Sequence, residues 1–266
     1  MRYLSLFRVR FLHGLQYRAA AYAGVATQFA WGFMEILMFS AFYKANSAAF
    51  PMSFQALSSY IWLQQAFLAL FMMWFLDEDI FASIRDGHVA YELARPLDLY
   101  GMWYVKNAAV RLSKAALRCM PVLFVAALLP APYGITLPPD PAAFLWFLLT
   151  GILAYLLVVA YCMLIYIATL HTVNPMGVRL VAVAMADFFA GGYVPLPFLP
   201  DKVRAVFELL PFGSMQNLPL LAYSGTVSGK ELLYKALLQA FWLAALVAFG
   251  RVWMKYSLKK VVVQGG

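Results

Sequence analysis

The sequence predicts an all-α integral membrane protein of six transmembrane helices, with an amphipathic N-terminal interfacial helix and short broken helices on the outer side between spans five and six. Three observations predict it. Of the 266 residues, 64% are hydrophobic and only 12% are charged, against roughly 25% charged in soluble domains. The apolar residues gather in long runs of about 18 or more, enough for a helix to cross a hydrocarbon core of about 30 Å. The runs are continuous and do not alternate over about ten residues, which argues against a β-barrel.

Residues 1–18 come first. Leu4, Phe7, Phe11 and Leu15 share one stripe of a helix, while Arg2, Ser5, His13 and Gln16 face away, the pattern of a helix lying along the inner leaflet. Arg8 and Arg10 interrupt the segment ahead of the first long apolar run, unlike a cleaved signal peptide, so the N-terminus is expected to be retained. The six spans are expected at 19–43, 58–76, 116–134, 143–170, 177–194 and 233–254. The third is the least regular, because it contains Pro121 and carries Arg118, which has to reach toward the headgroups. No repeat and no low-complexity segment is visible, so residues 1–266 read as one transmembrane domain.

Fifteen of the twenty Lys and Arg residues fall on the termini and on the segments 77–118 and 171–179; only Lys44, Lys202, Arg204, Lys230 and Lys235 fall on the other side. Both termini are therefore expected in the cytoplasm. The net charge of +8 follows from this topology and from contact with anionic lipid, and no nucleic-acid partner is expected.

Between the second and third runs lies the polar segment 77–97, with Asp77, Glu78, Asp79, Asp86 and Glu92, five of the chain's twelve carboxylates. Acids contribute little to membrane orientation, so this concentration points to a soluble partner that reads the segment. Residues 79–86 suit one short helix stopped by Gly87, and 88–94 another ending before Pro96.

Enzymatic motifs are missing from the sequence. There is no G-x-S-x-G, H-E-x-x-H or G-x-x-x-x-G-K-[ST]. Gly225-Thr226-Val227-Ser228-Gly229-Lys230-Glu231 is one residue short of a phosphate loop and ends in Glu. The chain reads as non-catalytic, and any ATP hydrolysis would occur on another chain. His13, His88 and His171 lie in separate segments without ligand spacing, so no metal site is expected. Cys119 and Cys162 fall at or within spans and imply no disulfide.

Three ionisable residues interrupt the predicted spans: Glu35 in the first, Arg179 and Asp187 in the fifth. A mid-membrane charge costs roughly 2.5–3.5 kcal/mol on insertion scales and usually faces protein or a water-filled cavity. Arg179, near the cytoplasmic end, is expected to snorkel. Glu35 and Asp187 are candidates for lining a transport path, or for tying helices together. Ala182, Ala186 and Ala190 form a small-residue stripe beside Asp187 that admits a neighbouring helix. The fifth span then runs into Gly191, Gly192, Pro195, Pro197 and Pro200, where regular helix cannot continue. The stretches 201–211 and 214–224, parted by Pro211-Phe212-Gly213, are too short to span. Segment 191–225 is thus expected to be re-entrant on the outer side, an outer gate or a static cap.

Together these features resemble the permease subunits of type-2 ATP-binding-cassette (ABC) exporters. Asp86-Gly87-His88-Val89-Ala90-Tyr91-Glu92-Leu93-Ala94-Arg95-Pro96-Leu97 is similar to that family's E-x-x-x-G-T-L-E-x-L-L-x-x-P stretch, and closer to a branch reading G-x-x-x-Y-x-L-x-R-P-L. His88 and Val89 replace the commoner Thr and Leu. Gly192-Tyr193-Val194-Pro195, Leu199-Pro200 and Leu210-Pro211-Phe212 resemble its outer G-x-x-x-P…L-P…L-P-F signature. The resemblance implies a bacterial-type inner-membrane exporter subunit that pairs with a second permease chain, itself or a sister, and binds two copies of a separate ATPase carrying ATP and Mg. Segment 77–97 would be the ATPase-coupling element, through Glu78, Asp79, Arg85, Gly87, Tyr91, Glu92, Arg95 and Pro96. The alternative is a stand-alone ion-coupled secondary transporter using Glu35 and Asp187.

Overall fold

A computed structural model describes residues 2–172 and 175–259, and all regular structure among them is helical. Met1, and Lys260 of the predicted cytoplasmic set, lie outside the described residues. Twelve α-helices follow in order: α1 (Arg2–Gly14), α2 (Arg18–Ala45), α3 (Phe54–Ala66), α4 (Leu68–Phe71), α5 (Glu78–Arg85), α6 (Val89–Leu93), α7 (Leu99–Leu128), α8 (Pro141–Thr169), α9 (Pro175–Phe189), α10 (Asp201–Leu209), α11 (Asn217–Tyr223) and α12 (Gly229–Leu258).

Three of them are long and apolar enough to cross a membrane: Ala21–Ala45 of α2, all of α8 and all of α12. Their outer faces carry Leu37 and Phe42, Leu145 and Ile152, and Leu237 and Phe241, all exposed. On a water-soluble monomer a continuous apolar surface of that kind would be an aggregation site; lipid removes the difficulty. The chain is a helical membrane protein.

Local chemistry sets the helix starts. Ser53, Asp98 and Asp140 each cap a helix by accepting the backbone N–H of Ala56, Gly101 and Ala143, at 3.2, 3.1 and 2.7 Å. Pro141 fills the first turn of α8, where its missing N–H costs nothing.

Three expected boundaries move. The second run breaks at Phe67 and is irregular from Met72, so 58–76 is not one helix. The third helix begins at Leu99 instead of 116, passes through Pro121 without interruption and ends at Leu128. The fifth stops at Phe189, where Gly191 N–H bonds to Phe188 O and Gly192 N–H to Asp187 O at 3.3 and 2.8 Å. With Gly191 at φ +78°, these are the paired bonds of a Schellman stop.

The core has two parts. At one end of the bundle Phe54, Leu57, Trp62, Phe147, Leu221 and Tyr223 pack together. The other gathers Ile80, Phe81, Trp103, Met163, Tyr166 and Met254. α11 is buried along its whole length and packs on α8 and α3. The Ala182/Ala186/Ala190 stripe faces inward, and the Tyr161 hydroxyl of α8 donates to Ala182 O at 3.1 Å. α1 lies along α7, closely enough that a Cβ on Gly14 would stand 2.1 Å from Ser113 Oγ. Phe7, Phe11 and Leu15 of the predicted stripe are half-buried there; Leu4 is instead exposed.

Candidate functional site

Segment 77–97 forms two short helices, α5 and α6, and the turn between them contains Gly87 at φ +73°, a left-handed conformation that glycine adopts without strain. Asp77 caps α5 by accepting Asp79 N–H at 3.1 Å. Ile80, Phe81 and Ser83 turn inward, as does Val89 of α6.

Side-chain ties root this segment and its flank in the bundle. Arg10 of α1 reaches Asp79 Oδ2 at 2.6 Å and Asp77 Oδ2 at 3.4 Å. Arg2 donates to Pro96 O at 3.2 Å, and the Tyr3 hydroxyl to Asp98 at 2.8 Å. Arg179 of α9 pairs with Glu78 at 2.6 Å and stands over the Phe81 ring, 5.6 Å from its centroid; it is ion-paired, not simply snorkelling. Asp77 N–H donates to the Tyr166 hydroxyl of α8 at 2.7 Å. Burial pushes the Asp77 carboxyl up despite Arg10 beside it, whereas the Arg85 guanidinium holds the exposed Asp86 carboxyl below its ordinary value.

Glu92 departs from expectation. It is buried, paired with Lys106, and accepts Trp103 Nε1–H at 2.6 Å, so it is not part of the surface a partner would meet. That surface consists of Glu78, Asp79, Arg85, Tyr91, Arg95 and Pro96, all exposed, with Tyr91 74% accessible.

Glu35 and Asp187, singled out separately in the sequence, line one cavity of about 510 Å³ between α2, the α3–α4 break and α9. Gln65 is the polar neighbour of Glu35. Asp187 is buried and accepts Met73 N–H at 3.3 Å. The carbonyls left free at the same break, Ala69 O and Met72 O, accept from Arg111 at 3.1 and 2.8 Å. Arg111 is fully buried and also donates to Asn107 Oδ1 and to Cys162 Sγ, giving Cys162 a polar contact beyond packing. The sequence reading missed Arg111, Asn107 and Tyr166, whose hydroxyl also accepts Asn107 Nδ2–H at 2.6 Å.

Gly192 sits at the cavity rim, its carbonyl accepting Gln64 Nε2–H at 3.5 Å. Gly191 O accepts Gln216 Nε2–H at 3.3 Å. Pro195, Pro197 and Pro211 are buried, and Pro200 is exposed at the start of α10. Among the described residues no three His, Cys, Asp or Glu side chains come together as metal ligands would.

The chain matches no protein-family model, no curated protein and no solved structure.

Proposed function

We propose that this chain is the permease subunit of a type-2 ABC exporter, with six crossings and both termini in the cytoplasm. In this reading α2, α8 and α12 cross alone. The remaining crossings are α3 with α4 and the irregular stretch after it, α7, and α9 with the turn at Gly191 and Gly192. Interior partners such as Arg111 and Asp187 satisfy the backbone at the break, the condition under which irregular chain is tolerated at membrane depth.

A single observation carries the reading: α9 holds Arg179, paired with Glu78 of the exposed segment, and two turns later Asp187 of the cavity. In this reading a movement of α5 passes to α9 through Arg179, and so to the cavity wall. Two separate ATPase chains that close around ATP would supply that displacement by docking on Tyr91, Arg95 and the outer edge of α5, with Tyr91 as the aromatic anchor. The ATP and Mg belong to those partners. The second permease chain, a copy or a sister, completes the path between the two cavities, and Gly191 to Pro211 form its outer boundary. The protein belongs in a bacterial-type inner membrane.

The test is co-expression of the full chain with a neighbour-encoded phosphate-loop chain. Tyr91→Ala with Arg95→Glu should abolish co-purification of the ATPase while leaving membrane insertion and thermal stability unchanged. Undiminished recruitment removes the docking role. ATPase-independent, ion-driven transport that fails in Glu35→Gln would favour the secondary transporter instead.

A further inference from the structure

We propose that the cavity between α2, α3–α4 and α9 binds a lipophilic organic cation carrying N–H donors. The ionisable part of its lining is acidic only. Glu35 and Asp187 supply two carboxylates, and no Lys, Arg or His is among the lining residues. Gln28 and Gln64 line it too, at 2% and 3% exposure, and both amide oxygens lack a hydrogen-bond partner. The Gln64 amide nitrogen is committed to Gly192 O, which leaves its oxygen as the free group; the Gln28 amide nitrogen is unpartnered as well. A buried acceptor without a donor is destabilising, and a ligand that brings N–H groups answers it once the amide turns toward the cavity.

The rest of the wall fixes the ligand's body. Trp31, Trp74 and Tyr193 line it with aromatic rings and Met34 and Met38 with adaptable apolar surface, a combination suited to a flat aromatic cation. About 510 Å³ accommodates a drug-sized molecule. An acyl chain would fill the volume and leave the carboxyl groups and amides unanswered, and an anion would meet two acidic side chains and no Lys, Arg or His. Arg111, the neighbouring cation, is turned to Ala69 O, Met72 O, Asn107 and Cys162 and does not line the cavity.

The inference rests on the reading of this cavity as the transport path only for its physiological use; binding is measurable apart from transport. The probe is ethidium, titrated against the full chain in nanodiscs of zwitterionic lipid and followed by its fluorescence. Saturable binding is expected, weakened at least about tenfold by Glu35→Gln with Asp187→Asn and several-fold by Gln28→Leu. Asn at 187 retains an oxygen for Met73 N–H, and Glu35→Gln alone serves as a second variant should the pair fail to fold. Anilinonaphthalene sulfonate, an aromatic anion, should not compete. Equal affinity in the carboxylate variants, competition by the anion, or no saturable binding would overturn the proposal. Cation binding without ATPase recruitment would remove only the exporter reading, and recruitment without cation binding only the cation site.

Discussion

Replacing Lys106 by Met tests how the exposed segment is held. The Lys106 and Glu92 side chains are 9% and 10% accessible, and the second Glu92 oxygen accepts Trp103 Nε1–H. Removing the ammonium leaves a buried carboxylate with one neutral donor, a defect of about 3–5 kcal/mol. Glu92→Leu leaves a buried ammonium and an unpaired indole N–H, with a loss of similar size. The double variant Glu92→Leu/Lys106→Met strands only the indole, about 1–3 kcal/mol, part of it offset by apolar packing. The singles should therefore sum to several kcal/mol more than the double, a coupling well above the roughly 0.5 kcal/mol scatter of independent sites. Thermal unfolding in nanodiscs reads the energies, and trypsin cleavage at Arg85 reads release of α5 and α6. Single losses under about 1 kcal/mol with an additive double would refute the argument.

Other variants probe the remaining ties. Asp77 has a raised folded-state value, so its ionised form opposes folding at neutral pH, and the cost fades as pH falls through that raised value toward the ordinary carboxylate one. Asp77→Asn, which keeps the cap, should match or exceed wild type at pH 7 and lose that margin on acidification; Asp77→Ala should lose about 0.5–2 kcal/mol of capping, both read by melting at two pH values. Gly14→Val forces a Cβ into Ser113 and should separate α1 from α7 at about 1–3 kcal/mol, visible as faster proteolysis of the N-terminal helix. Arg111→Met strands Ala69 O and Met72 O and should cost about 3 kcal/mol or more; a change below about 0.5 kcal/mol in unfolding would contradict its role at the α4 break.

Long apolar runs made α2, α8 and α12 legible, since no proline breaks them after the first turn and their few charges are scattered. The α5–α6 pair was legible too, because Gly87 and the Arg95-Pro96 step punctuate the backbone locally. The start of α7 was not: Lys106, Arg111, Lys114 and Arg118 read as loop charges although Asn107, Arg111, Lys114 and Arg118 recur at helical spacing behind the Asp98 cap. The break after Phe67 carries no sequence mark, with neither Gly nor Pro from Phe67 to Met73; it is stabilised from outside, by Arg111 and Asp187. The burial of Glu92 followed from the same gap, since its partners sit on the part of α7 read as loop. Glu35 and Asp187 were legible as anomalies, but their shared cavity depends on α2 and α9 meeting across that break.

The central claim, a non-catalytic permease driven through α5 and α6, is tested most directly by native mass spectrometry of the gently solubilised complex after co-expression with its genomic neighbours. Two permease-sized chains with two ATPase chains are expected, and loss of the ATPases alone in Tyr91→Ala/Arg95→Glu. This chain by itself in transport-active form, or an ATPase complex indifferent to those substitutions, would contradict it.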